Sequence, residues 1–234
     1  MLGKLNLDFR KEDIHYYIIL LSAPVLLSIY RYHGYPGTFS TIFNTGLPED
    51  QNIRINQFII FFFLTFVIPA LYIIFAMKKP LSEFGLRLGD YKWGIKSLLL
   101  IPFLIIPVLY FGAKVPELQS EYPLAKSLLS DHSHLFIYEL SYLIFYYIAW
   151  EFFFRGFILF GLKNRFGIIN AILIQTISSC LVHIDKPEGE IFGSILAGIV
   201  LGIIAIRTKS IWYVIILHAT IGILTDLFII YGQN

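Results

Sequence analysis

Residues Leu135–Phe154 read LFIYELSYLIFYYIAWEFFF, an almost unbroken apolar block of 20 residues. A helix of about 20 residues is what the hydrocarbon core of a bilayer requires. The block has no strict in–out alternation of a barrel strand. Backbone groups in lipid must be satisfied within the segment, so a helix is the expected solution. Six further blocks of similar character follow the same pattern: Ile14–Tyr30, Phe58–Met77, Ser97–Ala113, Gly167–Val182, Ile191–Ile206 and Ile211–Tyr231. The chain therefore reads as all-α, a polytopic transmembrane helix bundle of about seven spans. Composition agrees: 57% of residues are hydrophobic, 15% are charged, and the mean hydropathy is +0.71. So few charges could not cover a water-soluble surface.

Lysine and arginine placement gives an independent check. Segments on one side carry Lys4, Arg10, Lys11, Lys78, Lys79, Arg87, Lys92, Lys96, Arg155, Lys163, Arg165, Arg207 and Lys209; the other side has only Arg31, Arg54, Lys114, Lys126 and Lys186. That alternation is what seven spans with a cytoplasmic N-terminus should produce. The first apolar block begins near Ile14 without a small-residue cleavage site, so a removable signal peptide is not expected. A short chain of this kind suits a bacterial cytoplasmic membrane. The net charge of +2 gives no basis for a nucleic-acid partner, and the single cysteine, Cys180, excludes an intramolecular disulfide. No linker or repeat divides residues 1–234, which are read as one membrane domain. The polar stretch His33–Gln57 is expected to be an outside loop. The stretch Pro80–Lys96 (PLSEFGLRLGDYKWGIK) is basic and amphipathic, and is expected to lie along the inner interface.

Ionisable residues within apolar surroundings carry the functional signal, because a charge at bilayer depth is costly and normally faces the bundle interior. Glu151 and Arg155 are four apart and share a helix face. The pair either neutralises two buried charges or fixes a carboxylate for proton transfer. Gly156, next in sequence, allows another helix to approach. His183 ends a span before Asp185-Lys186-Pro187, and Glu188 and Glu190 fall in the first turn of the following helix, where they complement its dipole. His218 lies mid-span; Thr225 shares its face and Asp226 is a weaker neighbour, roughly 80° away. One glutamate and two membrane histidines make a hydrolytic set: the carboxylate activates water, while the imidazoles bind a metal or stabilise an oxyanion. There is no HExxH or GxSxG signature.

Trp150-Glu151-Phe-Phe-Phe-Arg155-Gly156, then His183, then the run from Gly198 through Arg207 to Trp212, and finally His218 occur in a recognisable order. They resemble the CAAX prenyl endopeptidase and bacteriocin-processing (CPBP, or Abi) family of intramembrane proteases, over Leu135–Asp226. The resemblance implies a catalytic core of membrane helices at residues 135–226. It also implies roles for Glu151, Arg155, His183 and His218, and substrates such as the C-terminal region of a prenylated protein or a membrane-proximal leader peptide. The family is described both with and without a divalent metal such as zinc. The sequence requires none, though His183 and His218 are the positions that could bind one. Three positions depart from the family pattern. Trp150 stands where its first glutamate falls, Ser179 replaces an aromatic residue four before His183, and Gly222 replaces an amide or acid four after His218.

The leading expectation is an intramembrane endopeptidase in which Glu151 polarises water, Arg155 orients Glu151, and His183 and His218 stabilise the oxyanion or bind a metal. Trp150, Glu190 and Asp226 are then supporting or substrate-binding positions, the two acids offering a second carboxylate. The alternative is a catalytically inactive relative acting as a membrane scaffold, immunity factor or binding protein. A small transporter is a third reading, since buried acids and histidines also relay protons. The absence of an internal repeat speaks against it.

Overall fold

Once an apolar span nucleates a helix, its backbone hydrogen bonds extend into flanking polar turns at little further cost. The helices accordingly outrun the apolar blocks at several ends, by up to nine residues at Glu49 and twelve at Phe166. A computed structural model describes residues 9–34 and 42–232. Its membrane helices are α1 Lys11–Gly34, α2 Glu49–Ala76, α3 Tyr91–Gly112, α4 Leu135–Phe166, α5 Ile168–Leu181, α6 Glu188–Thr208 and α7 Trp212–Tyr231. All but α5 are long and apolar enough to cross a bilayer, and α5 is an apolar helix of 14 residues. No strand occurs among the described residues. The protein is an integral membrane protein built as an all-α bundle. Lys4 and residues 35–41 of the expected outside loop lie outside the described residues. The rest of that loop is not all irregular, because Glu49–Gln57 forms the first turns of α2.

Helix α5 is short because both ends are set by backbone turns. Gly167, with φ of 82°, breaks the chain from α4, and Asp185, with φ of 77°, turns it towards α6. Helix α4 is the axis of the bundle and packs against α1, α2, α5, α6 and α7. Its most apolar window is 72% buried, against 11% for α3, which lies at the periphery on α6 and α7. Every residue from Phe152 to Phe160 is buried, so the core is centred just beyond Glu151.

The segment Pro80–Lys96 does not lie on the interface as one amphipathic element. A short turn at Leu81–Phe84 inserts Phe84 into the core, and α3 has already begun at Tyr91. The aromatic anchor outweighs the amphipathic period, since burying a phenyl ring stabilises by about 1.5–3 kcal/mol. The backbone of this segment is then pinned: Ile211 N donates to the Gly85 carbonyl, Asp90 N donates to the Thr208 carbonyl, and Arg207 pairs with Asp90 at 2.9 Å. The Trp93 amide, which Asp90 caps, and the Arg207 guanidinium hold the Asp90 carboxyl below its usual pKa.

Gly89 makes this docking possible, having φ of 59° with a Cβ position only 2.0 Å from the Thr208 carbonyl oxygen. Gly89→Ala must therefore displace the α6–α7 corner. Overpacking of this kind destabilises by about 1–3 kcal/mol, and the left-handed backbone adds to that. We expect a clearly lower melting temperature in detergent, whereas an unchanged melt would show that the corner yields freely.

Candidate active site

Residues four apart on α4 form two ridges. Tyr138, Tyr142, Tyr146, Trp150 and Phe154 make an aromatic ridge towards α2, where Tyr142 stacks on Phe58 at 4.4 Å and Tyr146 on Phe61 at 4.6 Å. The neighbouring ridge is Tyr147, Glu151 and Arg155, and it meets α7. Glu151 is fully buried, and its Oε1 accepts from Arg155 Nη1 at 3.1 Å and from His218 Nδ1 at 2.6 Å. The helix around Glu151 is widened on both sides, with π-type turns at Leu143–Tyr147 and Phe152–Phe160. Such turns recur where a helix presents functional side chains.

A carboxylate only accepts hydrogen bonds, so His218 carries its hydrogen on Nδ1 and presents the Nε2 lone pair elsewhere. His218 retains 20% side-chain exposure while Glu151 has none. The imidazole is thus the accessible end of a buried relay running from Arg155 through Glu151 to His218.

His183 lies in the turn after α5. Its Nδ1 donates to the Ser179 carbonyl at 2.9 Å, which leaves Nε2 as an acceptor as well. Trp150 sits edge-on to both imidazoles, with ring centroids 5.3 Å from His183 and 5.7 Å from His218. The structure therefore brings Trp150, Glu151, Arg155, His183 and His218 into one cluster. His183 joins it through Trp150, and no hydrogen bond links it to Glu151 among the described residues. Gly156 receives the Phe84 carbonyl, which a Cβ would approach to 2.9 Å, rather than another helix.

The two remaining sequence candidates make no hydrogen bond to Glu151, His183 or His218 among the described residues, although both act electrostatically on Tyr147. Glu190 accepts from the Tyr122 hydroxyl at 2.7 Å, beside a Lys186–Glu121 ion pair at the end of the bundle opposite the basic one. Burial and the Glu190 charge push the Tyr122 phenol well above its usual pKa, so it stays a donor. Asp226 is fully buried, eight residues beyond His218 and thus about 12 Å along the helix. It lies within electrostatic reach of Glu139 and Tyr138. Glu139 is a second buried carboxylate, and it carries the signal that picks out Glu151, an acid within an apolar block.

Tyr147 is a further site residue that spacing alone does not reveal. Its ring lies 5.0 Å from that of His218, and its hydroxyl oxygen is 1.6 Å from where a Gly222 Cβ would be. The phenol occupies the space that a side chain at residue 222 would need.

As to metal, both histidines keep Nε2 available. However, among the described residues no three His, Cys, Asp or Glu side chains group as ligands. The donor set does not fit a metal cage, and no step is derived through one. Residues 132–224 match the family model described as type II CAAX prenyl endopeptidase Rce1-like. No curated protein and no solved structure matches the chain.

Proposed function

We propose that this chain, whose residues 132–224 match the type II CAAX prenyl endopeptidase Rce1-like family model, is an intramembrane endopeptidase whose base is the His218–Glu151 pair. The observation that carries this reading is the 2.6 Å contact between His218 Nδ1 and a buried glutamate that is itself held by Arg155. With Trp150 at the position of the family's first glutamate, the base must come from another group. His218 is the exposed member of the relay.

His218 Nε2 takes a proton from water as the water oxygen attacks the scissile carbonyl carbon. The same imidazole then returns that proton to the leaving amine nitrogen as the C–N bond breaks. Glu151 fixes the tautomer and stabilises the imidazolium that forms between those steps. Arg155 holds the glutamate in one rotamer through the Nη1–Oε1 hydrogen bond. His183 Nε2 accepts a hydrogen bond from substrate. The substrate class is a peptide held at the membrane, either the C-terminal region of a prenylated protein or a membrane-proximal leader, and the setting is a bacterial cytoplasmic membrane with the N-terminus inside.

A second reading is favoured by Trp150, which is 2% exposed and fills the space between the two imidazoles. In that reading the chain is an inactive relative that binds a membrane partner. Purified protein and a panel of lipid-tethered peptides separate the two. We expect wild type to cleave at least one peptide, and Trp150→Glu, checked for folding by its melting curve, to leave cleavage the same or lower it. Activity seen only in Trp150→Glu would establish the inactive reading.

A further inference from the structure

We propose that the basic end of the bundle holds the phosphate of an anionic phospholipid between Arg87, Lys163 and Lys209. These residues come from three distant segments: the connection before α3, the last turns of α4, and the residue capping α6. They line a cleft of about 610 Å³ together with Asn164, Ile168 and Ile206, and no acidic side chain lines it. A neighbouring cavity of about 350 Å³ shares Arg87, Lys163 and Asn164. Its acidic lining residues are Glu12 and Glu83, of which Glu83 pairs with Lys79 at 3.2 Å.

Two of the cations are held in place by something other than a counter-ion. Arg87 Nε donates to the Lys209 carbonyl at 3.0 Å, and Lys163 Nζ lies 4.0 Å above the Phe160 ring. Lys209 is fixed in the left-handed region with φ of 54°. None of the three forms a salt bridge among the described residues. Arg87 and Lys209 both act electrostatically on Lys163, with Glu83 opposing them more weakly. Three like charges around one cleft repel each other until an anion enters, and a guanidinium with one N–H committed keeps four more for phosphate oxygens.

The surroundings favour lipid over a soluble anion. Ile168 and Ile206 form part of the cleft wall, while Ile168, Ile169 and Ile203 stand 50%, 74% and 52% exposed beside it. A headgroup in the cleft would lay its acyl chains along this apolar surface. Basic pockets between membrane helices are suited to anionic headgroups. The three cations make no contact with Glu151 or His218, so the site stands apart from the hydrolytic proposal.

The test is native mass spectrometry of the full chain in detergent, titrated with phosphatidylglycerol and, separately, with phosphatidylcholine of the same acyl chains. Wild type should retain phosphatidylglycerol preferentially. Each basic residue near a membrane surface contributes about fivefold, so Arg87→Gln/Lys163→Gln/Lys209→Gln should weaken retention about a hundredfold. Neutralising the exposed Lys11, Lys92 and Lys96 instead should leave it nearly unchanged. Should the triple variant fail to melt cooperatively, Lys163→Gln alone is expected to weaken retention about fivefold. Equal retention of the two lipids, or an equal loss in the control variant, overturns the proposal. Displacement of the lipid by millimolar inorganic phosphate would show a free-phosphate site and overturn the lipid assignment.

Discussion

Glu151→Gln is expected to lower peptide hydrolysis by about 10²–10⁴-fold, the usual range for losing a positioned proton-transfer group. The amide has nearly the shape of the carboxylate, so packing survives. What is lost is the charge that holds the His218 proton on Nδ1 and stabilises the imidazolium. Both variants leave Arg155, which is 2% exposed, as a buried cation without its counter-charge, and Glu151→Ala goes further by also removing the oxygen that accepts from it. Breaking a buried pair from one side destabilises by about 3–5 kcal/mol. Melting curves should therefore order as wild type, Glu151→Gln, then Glu151→Ala, while both variants are inactive. Wild-type cleavage by Glu151→Gln would remove the dyad. An unaltered melt of Glu151→Ala would show that Arg155 finds another partner.

The second large effect is expected at residue 222. Restoring a family-like amide by Gly222→Asn places a Cβ 1.6 Å from the Tyr147 hydroxyl oxygen and 2.7 Å from the ring carbon that bears it. Because the ring itself is in the way, deleting only the hydroxyl does not relieve the clash. Gly222→Asn alone should destabilise by about 1–3 kcal/mol or more. Tyr147→Ala alone should cost about 3–5 kcal/mol, as truncation of a large buried aromatic does. In combination the asparagine enters space the phenol has left. The double variant should then be more stable than the two separate losses predict, by about 0.5–3 kcal/mol. Strict additivity in a double-mutant cycle would mean that the two positions do not compete for the same volume.

The seven apolar blocks were legible because lipid imposes a length and an apolar content on every crossing segment. The helix ends were less so. Glu49–Gln57 and Lys163–Phe166 are polar enough to read as loop, yet they continue helices begun in lipid. Phe84 shows a different limit, since an amphipathic period cannot tell a ring lying on the interface from one driven into a core. At the site, the four-residue spacing of Glu151 and Arg155 was sufficient to foresee their pairing. The meeting of Glu151 with His218 depends on how α4 packs on α7, which no local pattern encodes. Asp226 sits on the same helix as His218, but its neighbour is Glu139, two turns away along the helix axis. Tyr147 looked like one aromatic among many, and its significance depends on a side chain that Gly222 does not have.

Helix α5 ends after 14 residues, about 21 Å at 1.5 Å per residue. The acyl region it must traverse is about 30 Å thick. Such a mismatch is relieved by local thinning of the bilayer and by polar groups dipping inward at the short end. His183 marks that short end, with Trp150 and His218 directly behind it. The missing turns of α5 thus bring the headgroup layer closer to the imidazole cluster than a full-length span would.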